Sequence, residues 1–302
     1  MNALLDPVAD ALHRLDRKVQ RIRDRRTAPA PNPDRILSRA YDAGWADHPC
    51  VFVLSTGRTG TQTLTKLLAL SPRIHAEHEA MPQLVKASFD AYMNTEAPEW
   101  SPTWQRVALA ARDDLVLNAN RAGKVYFESN YRLTYLAPAL AAAFPASRFL
   151  FLHRDPFAVI RSGMRRGYYR SPFEAWNFAR IRPRPSDPAV DRWEDFTQLE
   201  KNAWRWAHAN DFAADVFEQL PENRRLELRS ADLFGGRRNV QKRLFSFCGV
   251  ECPPARDTES VFARTFNAQD HFHGDQFEWT PDTRALVRPL IEDVAQRLGY
   301  SV

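Results

Sequence analysis

The amino-acid sequence predicts an α/β fold, a three-layer domain with a central parallel sheet, preceded by an N-terminal amphipathic helix. Short apolar runs of strand length alternate with stretches of helical periodicity, a pattern typical of parallel strands joined by crossover helices. A proline-rich segment, residues 27–33, comes before this alternating region and is expected to be extended and semi-rigid. We therefore divide the chain into an N-terminal appendage, residues 1–34, and a main domain, residues 35–302.

The N-terminal helix is predicted over residues 4–26, where apolar residues recur three and four positions apart. The apolar stripe is shorter than the three or four heptads that a coiled coil needs. Three roles stay open for it: pairing with a second copy in a homodimer, packing on the main domain, or contact with an acidic membrane surface.

The elements of the main domain follow from apolar runs and helical periodicity. The predicted strands are CVFVLS (50–55), KVYFE (124–128) and RFLFLH (148–153), with RLEL (225–228) as a fourth candidate. The predicted helices are residues 61–69, residues 133–144, a helix that begins at Pro156, residues 240–247 and residues 281–298.

Composition narrows the function class. The net charge of +5 favours an acidic ligand, but the zinc-finger, RNP and basic-zipper patterns are missing, so nucleic acid is not the expected partner. No apolar run approaches the roughly 20 residues that a membrane span needs, and the N-terminus lacks the pattern of a signal peptide. Three cysteines are too few for a disulfide framework. We expect a cytoplasmic protein.

The segment STGRTGTQTL, residues 55–64, lies between the first predicted strand and its helix. Gly57 and Gly60 let the backbone curl so that successive N–H groups face an anion, and the helix that follows adds its free N–H groups and positive dipole end. Arg58 adds charged donors that suit phosphate or sulfate. The other members of this P-loop-like site are Thr59, Thr61, Gln62 and Thr63. The Walker A lysine is absent, which disfavours a metal-dependent kinase.

A second anion site is predicted at the end of the strand 148–153. Arg154 stands at its carboxyl end, the edge where open α/β sheets bind ligands. Asp155 can cap a helix that begins at Pro156, and Ser162 falls in the second turn of that helix. Two anion sites at two strand ends suit a ligand with two separated phosphate-like groups.

Together the loop SxGRTGTQTL and the downstream RDPxxxxxS resemble the two nucleotide motifs of sulfotransferases that use 3′-phosphoadenosine-5′-phosphosulfate (PAPS). The resemblance implies that residues 35–302 form a catalytic domain and that PAPS is the co-substrate, with 3′-phosphoadenosine-5′-phosphate (PAP) as product and no metal required. It further implies that the loop holds the 5′-phosphosulfate, that Arg58 contacts the leaving phosphate, and that Arg154 and Ser162 clamp the 3′-phosphate. The chain is more similar to the bacterial, glycan and tyrosyl-protein branches, because Glu128-Ser129-Asn130 replaces the K-T-H of the phenol and steroid group.

In the glycan and tyrosyl branches a glutamate shortly after the first helix is the base. The matching residue is Glu79, within His78-Glu79-Ala80, where the family has H-E-P. His75 and His78 compete with it, since imidazole titrates near neutral pH, and a structural or metal-binding role for this cluster also stays open.

The acceptor is expected to be a small molecule, glycan or peptide with a hydroxyl or amine group. Residues 161–184 combine seven arginines with five aromatic residues, which can hold an anionic acceptor. A nucleotide kinase and a non-catalytic binder of nucleotides or polyanions remain as alternative functions.

Overall fold

A parallel sheet of five strands, in the order β2-β3-β1-β4-β5, forms the centre of the fold. The computed structural model describes residues 48–96, 101–170, 180–263 and 277–302, so the predicted N-terminal helix and proline-rich linker lie outside the described residues. The division at residue 34 stays a prediction. The strands are β1 (Cys50–Leu54), β2 (Ile74–His78), β3 (Val125–Ser129), β4 (Ser147–His153) and β5 (Arg225–Arg229).

Helices connect the strands and cover the sheet. A 3₁₀ helix, Tyr131–Leu136, follows β3, and two further 3₁₀ turns span Val190–Arg192 and Glu222–Arg224. The α-helices of the described residues are α1 (Thr61–Leu68), α2 (Val85–Met93), α3 (Ser101–Arg121), α4 (Ala137–Ala143), α5 (Pro156–Arg165), α6 (Gln198–Gln219), α7 (Ser230–Phe234), α8 (Arg238–Phe247), α9 (Ala255–Phe262) and α10 (Pro281–Arg297). Within the described ranges, no helix is long and apolar enough to cross a membrane.

The central strand β1 is buried on both faces, which explains its unbroken apolar run. Val51 and Val53 belong to a core cluster that also contains Leu64 of α1 and Phe245 of α8. Phe52 points to the opposite face and packs against aromatic rings there, namely Tyr126, Phe144 and Phe149. Burying one such side chain contributes about 1.5–3 kcal/mol. The core therefore anchors β1 on both sides and fixes the point at which the chain leaves the sheet after Leu54.

The structure confirms the predicted parallel α/β fold and places the first and third predicted strands side by side, with β1 paired to both β3 and β4. The candidate strand at residues 225–228 is also a strand. The sequence interpretation omitted β2. Its sequence, IHAEH, lacks an apolar run because β2 is an edge strand in which only Ile74 is fully buried.

Candidate active site

A cleft of about 480 Å³ opens at the carboxyl ends of the strands. Each of four strands leads directly into its wall: the loop 57–63 follows β1, Glu79 follows β2, Tyr131 and Arg132 lie just beyond β3, and Arg154 follows β4. Parallel strands bring these residues to one edge although they are far apart in sequence. The structure therefore brings together the two anion sites and the candidate base that the sequence predicted separately.

The loop after β1 turns through three residues in the left-handed region of φ, with Gly57 at +73°, Arg58 at +64° and Gly60 at +90°. Gly60 also has no room for a side chain, since a Cβ atom there would lie 2.3 Å from the Phe234 ring. Gly60 is the N-cap of α1 and offers no side chain to the first turn. The N–H groups at the start of α1 therefore stay available to an anion in the cleft.

The shape of the loop is maintained by its own hydrogen bonds. The Ser55 hydroxyl accepts from the Gly57 amide at 2.9 Å and lies 2.8 Å from the Thr59 hydroxyl. The Ser230 hydroxyl donates to the Thr59 carbonyl at 2.7 Å. The Thr59 side chain thus belongs to the support of the loop and does not line the cleft, whereas the side chains of Thr61, Gln62 and Thr63 stand at its wall.

Arg58 links the two predicted anion sites. Its Nε donates to the Ser162 hydroxyl of α5 at 2.9 Å, and Arg154 Nη1 donates to the Arg58 carbonyl at 3.1 Å. Asp155 caps α5 as predicted, accepting from the Ala158 amide at 2.8 Å. Ser162 does not itself line the cleft, whereas its partner Arg58 does. Desolvation lowers the pKa of Arg58, and the nearby charges of Arg166 and Arg154 lower it further, against the opposing effect of Tyr168. This crowding of positive charge favours an anionic ligand.

Glu79 lines the same cleft and directly follows β2. Its backbone is left-handed, with φ +52°, and its amide donates to the Ser129 carbonyl of β3 at 3.1 Å. Arg132 Nη1 lies 3.2 Å from the Glu79 carboxylate. The Glu79 side chain is 27% exposed and lines the cleft, while the Glu79 backbone is fixed to the sheet.

His78 also lines the cleft, but His75 does not; the His75 ring contacts Glu77 at 3.1 Å instead. His78 Nδ1 lies 3.0 Å from the Ser129 carbonyl. Nδ1 also lies 2.9 Å from the Ser129 hydroxyl, which donates to the Thr61 carbonyl at 3.1 Å and can therefore accept from the ring. Because the Ser129 carbonyl can only accept, these contacts assign the hydrogen to Nδ1 and leave the lone pair on Nε2 of the neutral ring. Burial lowers the pKa of His78 below its usual value, against the opposing effect of Glu79. The neutral ring is therefore the dominant form at neutral pH.

Residues 49–254 match the model of the sulfotransferase family, which covers more than half of the chain. The chain belongs to the sulfotransferase family. Two solved structures share its fold. They are the sulfotransferase domain from the curacin biosynthetic pathway, with 15% identity and a TM-score of 0.51 over 83% of this chain and 98% of that chain, and sulfotransferase STF9 from Mycobacterium avium, with 13% identity and a TM-score of 0.50 over 92% of this chain and 89% of that chain. No curated protein sequence matches the chain.

The family match and the fold confirm the resemblance that the two motifs indicated, and with it the function of a sulfotransferase. The match does not specify a branch of the family, so the similarity to the glycan and tyrosyl-protein branches stays a prediction. Among the residues that the structure describes, no group of three or more His, Cys, Asp or Glu side chains could hold a metal ion.

This sulfotransferase also has cleft residues that the sequence interpretation did not single out. Arg132 and Tyr131 follow β3, and the rule that ligands bind at the carboxyl ends of strands would have found them. Arg205 of α6 donates to the Thr56 carbonyl, but no motif marks it within its helix. Tyr168 belongs to the segment 161–184 that the sequence predicted for the acceptor, and it lines the cleft. Burial raises its pKa, yet the positive charges of Arg205 and Arg180 outweigh this effect, and the net pKa is lowered.

The resemblance aligns Asn130 with the histidine of the K-T-H pattern, and the structure shows the contacts of Asn130. Its side chain is fully buried. The amide donates to Glu128 Oε1 at 3.2 Å, and the amide oxygen accepts from the Arg132 backbone N–H at 3.1 Å. Asn130 therefore organises the turn after β3 and does not face the cleft.

Proposed function

We propose that this sulfotransferase transfers the sulfuryl group of PAPS to a hydroxyl (or amine) acceptor by in-line displacement, with Glu79 as the base and no metal. The observation that carries this proposal is that the loop 57–63, Arg154 and Glu79 line one and the same cleft. A leaving phosphate on one side and a proton acceptor on the other are what in-line transfer requires.

The nucleotide side of the cleft suits an anion with two charged ends. The N–H groups of the loop and of the first turn of α1 would bind the 5′-phosphosulfate, with Gly57, Gly60, Thr61, Gln62 and Thr63 as the contact residues and Thr59 as support. Arg154 would bind the 3′-phosphate. The Arg58–Ser162 hydrogen bond supports a position of Arg58 between the two ends, where its guanidinium would bind the bridging oxygen of the leaving phosphate.

In the transfer step, the acceptor oxygen forms a bond to sulfur while the bond between sulfur and the bridging phosphate oxygen breaks. The electron pair of that bond stays on the phosphate of PAP, and the acceptor proton goes to the Glu79 carboxylate. Arg58 and the loop N–H groups stabilise the charge that develops on the phosphate. Arg132, 3.2 Å from Glu79, holds the carboxylate in the cleft.

The base assignment is tested with Glu79→Gln, which keeps the shape of the side chain and removes its basicity. Loss of a general base costs about 10²–10⁴ in rate, so we expect kcat to fall by that factor while PAP binds with unchanged Kd in calorimetry. His78→Ala is the matched variant, because the neutral His78 ring offers the competing lone pair in the same segment. A near-normal Glu79→Gln enzyme beside an inactive His78→Ala enzyme would transfer the role to His78.

The acceptor side of the cleft is rich in positive charge. Arg166 and Arg180 line it together with Tyr168, and Arg180 Cζ lies 3.5 Å from the centre of the Tyr168 ring. Stacked guanidinium and aromatic groups bind planar or charged groups. This supports a small-molecule, glycan or peptide acceptor that carries an anionic group next to its reacting hydroxyl.

A ligand comparison distinguishes the proposal from a nucleotide kinase or a non-catalytic polyanion binder. We expect PAP to raise Tm far more than ATP with Mg²⁺ does, and more than inorganic sulfate does. An equal or larger shift with ATP and Mg²⁺ would favour a kinase. Release of PAP from PAPS that depends on an added acceptor then separates an enzyme from a binder. The cytoplasm as location and a homodimer through residues 4–26 remain proposals beside this function.

A further inference from the structure

A buried ion pair lies behind the proposed base. Arg112 of α3 and Glu128 of β3 are both 0% exposed, and they are joined by two bonds, Nε to Oε2 at 2.5 Å and Nη2 to Oε1 at 2.8 Å. The Tyr126 hydroxyl, at 2.9 Å, and the Asn130 amide, at 3.2 Å, also donate to Glu128. The desolvation of two buried charges offsets much of their Coulombic attraction, and a pair of apolar side chains at the same place often stabilises a protein equally well. The other contacts of the pair therefore indicate its role.

Arg112 also holds the segment that follows Glu79. Its Nη1 donates to the Pro82 carbonyl at 3.1 Å, and its Nη2 reaches the Ala80 carbonyl at 3.4 Å. Ala80 is the next residue after Glu79 and is itself buried. One guanidinium thus fixes the backbone on the carboxyl side of Glu79 and joins it to the carboxylate of β3.

Glu128 acts on Arg132, whose side chain is the charged partner of Glu79. Its carboxylate holds the Asn130 amide, whose oxygen accepts from the Arg132 backbone N–H at 3.1 Å. The Arg132 side chain in turn lies 3.2 Å from the Glu79 carboxylate. Both the backbone of Glu79 and its charged partner are therefore held by chains of contacts that start at the same ion pair.

We propose that Arg112 and Glu128 are positioning residues that hold the Glu79 carboxylate and Arg132 in register with the loop 57–63. This inference rests on the proposed function, in which Glu79 takes the acceptor proton. Neither member of the pair lines the cleft. Proton transfer needs a donor and an acceptor about 2.6–3.2 Å apart, and a misplacement of about 1 Å can cost about 10² in rate.

The test is a mutant cycle between the ion pair and the base. The double variant Arg112→Met/Glu128→Leu removes both charges together, so neither is left buried without its partner. We expect its kcat to fall by about 10², with the KM for PAPS and the Kd of PAP unchanged. In the double variant, the added substitution Glu79→Gln should lower kcat by less than about threefold, whereas in the wild type it should lower kcat by about 10² or more.

The outcomes separate the two claims. If Glu79→Gln lowers kcat by the same factor in both backgrounds, the positioning role is overturned and the role of Glu79 as base stands. If Glu79→Gln leaves kcat unchanged in the wild type, the base assignment fails and the positioning role fails with it. A double variant with normal kcat also overturns the inference.

A matched control is Arg297→Met, which breaks an ion cluster between α10 and α6 that lies away from the cleft. Arg297 contacts Asp211, Asp215 and Glu218. We expect a lower Tm and an unchanged kcat. This result would show that a loss of stability alone does not lower kcat as the double variant does. If the double variant shows no cooperative unfolding transition, Arg112→Lys replaces it. Arg112→Lys keeps a positive charge beside Glu128 but lacks the guanidinium group that reaches the Ala80 and Pro82 carbonyls. The effect of Glu79→Gln on kcat is then compared between this variant and the wild type in the same way.

Discussion

Arg154 provides the sharpest test of nucleotide recognition. Its guanidinium lies at the carboxyl end of β4, and its own carbonyl accepts from Trp206 Nε1 at 3.1 Å, which fixes the backbone there. The side chain donates to the Arg58 carbonyl at 3.1 Å. Arg154→Ala removes the guanidinium and its bond to the Arg58 carbonyl, but the Trp206 contact keeps the strand end in place. The loop retains the contacts of Ser55 and Ser230 with Thr59, so it should keep its shape.

The magnitude follows from the kind of bond that is lost. A hydrogen bond between a charged donor and a phosphate contributes about 1.5–3 kcal/mol. Because the Arg154 side chain is exposed to solvent, screening places the expected loss at the lower end, about 1.5–2 kcal/mol. That corresponds to about 10- to 30-fold in Kd for PAP. Adenosine 5′-phosphate lacks the 3′-phosphate, so its Kd should change less than about threefold.

Isothermal titration calorimetry with both nucleotides measures this difference directly. Arg161→Ala is the control, since Arg161 lies on the next turn of α5 and pairs with Glu278 at 3.6 Å outside the cleft. It removes an equal charge near the site, so it reports the general electrostatic effect. Equal losses for PAP and adenosine 5′-phosphate in the Arg154 variant would refute the assignment of Arg154 to the 3′-phosphate.

Two further predictions concern the acceptor and the acid stability. Arg166→Ala should raise the KM of an anionic acceptor several-fold and make this KM less dependent on salt concentration. The kinetic constants for PAPS should stay near normal. An acceptor KM that does not change with salt in the wild type would contradict an anionic acceptor. The hydrogen bond from His153 lowers the pKa of Glu227, so its stabilisation is present above the unfolded-state pKa and is lost as the pH falls through the folded value. As the pH is lowered from about 7 to about 3, the denaturant midpoint of unfolding should therefore fall less in Glu227→Gln than in the wild type. If the midpoints of the two proteins fall in parallel with pH, Glu227 makes no such contribution.

The sequence predicted those parts of the fold and site that depend on local pattern. The runs that became β1, β3 and β4 are apolar because both of their faces are buried, and the loop with Gly57 and Gly60 is recognisable because its glycines serve local backbone geometry. The same reasoning did not identify β2. This edge strand pairs with one neighbour only, and its short sequence, IHAEH, alternates apolar and polar residues instead of forming an apolar run.

Contacts between distant segments could not be predicted in this way. Arg112 meets Glu128 across sixteen positions, and Arg205 reaches the loop carbonyl of Thr56 across 149. Both arginines sit in helices whose sequence shows ordinary charged residues. Only the packing of α3 and α6 against the sheet reveals that these side chains are buried, so their roles depend on tertiary structure and leave no motif.

The backbone at Glu79 connects the missing proline of the H-E-A segment to this buried network. A residue before proline is restricted to extended conformations, whereas Glu79 has φ +52°, so alanine at position 80 is compatible with the turn that the chain makes. A left-handed conformation costs a non-glycine residue about 1–2 kcal/mol, and the hydrogen bond to Ser129 and the contact of Arg112 with the Ala80 carbonyl offset it. Arg58, the other proposed catalytic residue, is also left-handed, with φ +64°. Backbone strain thus coincides with both sides of the proposed transfer, as expected where the surrounding structure determines the direction of a side chain.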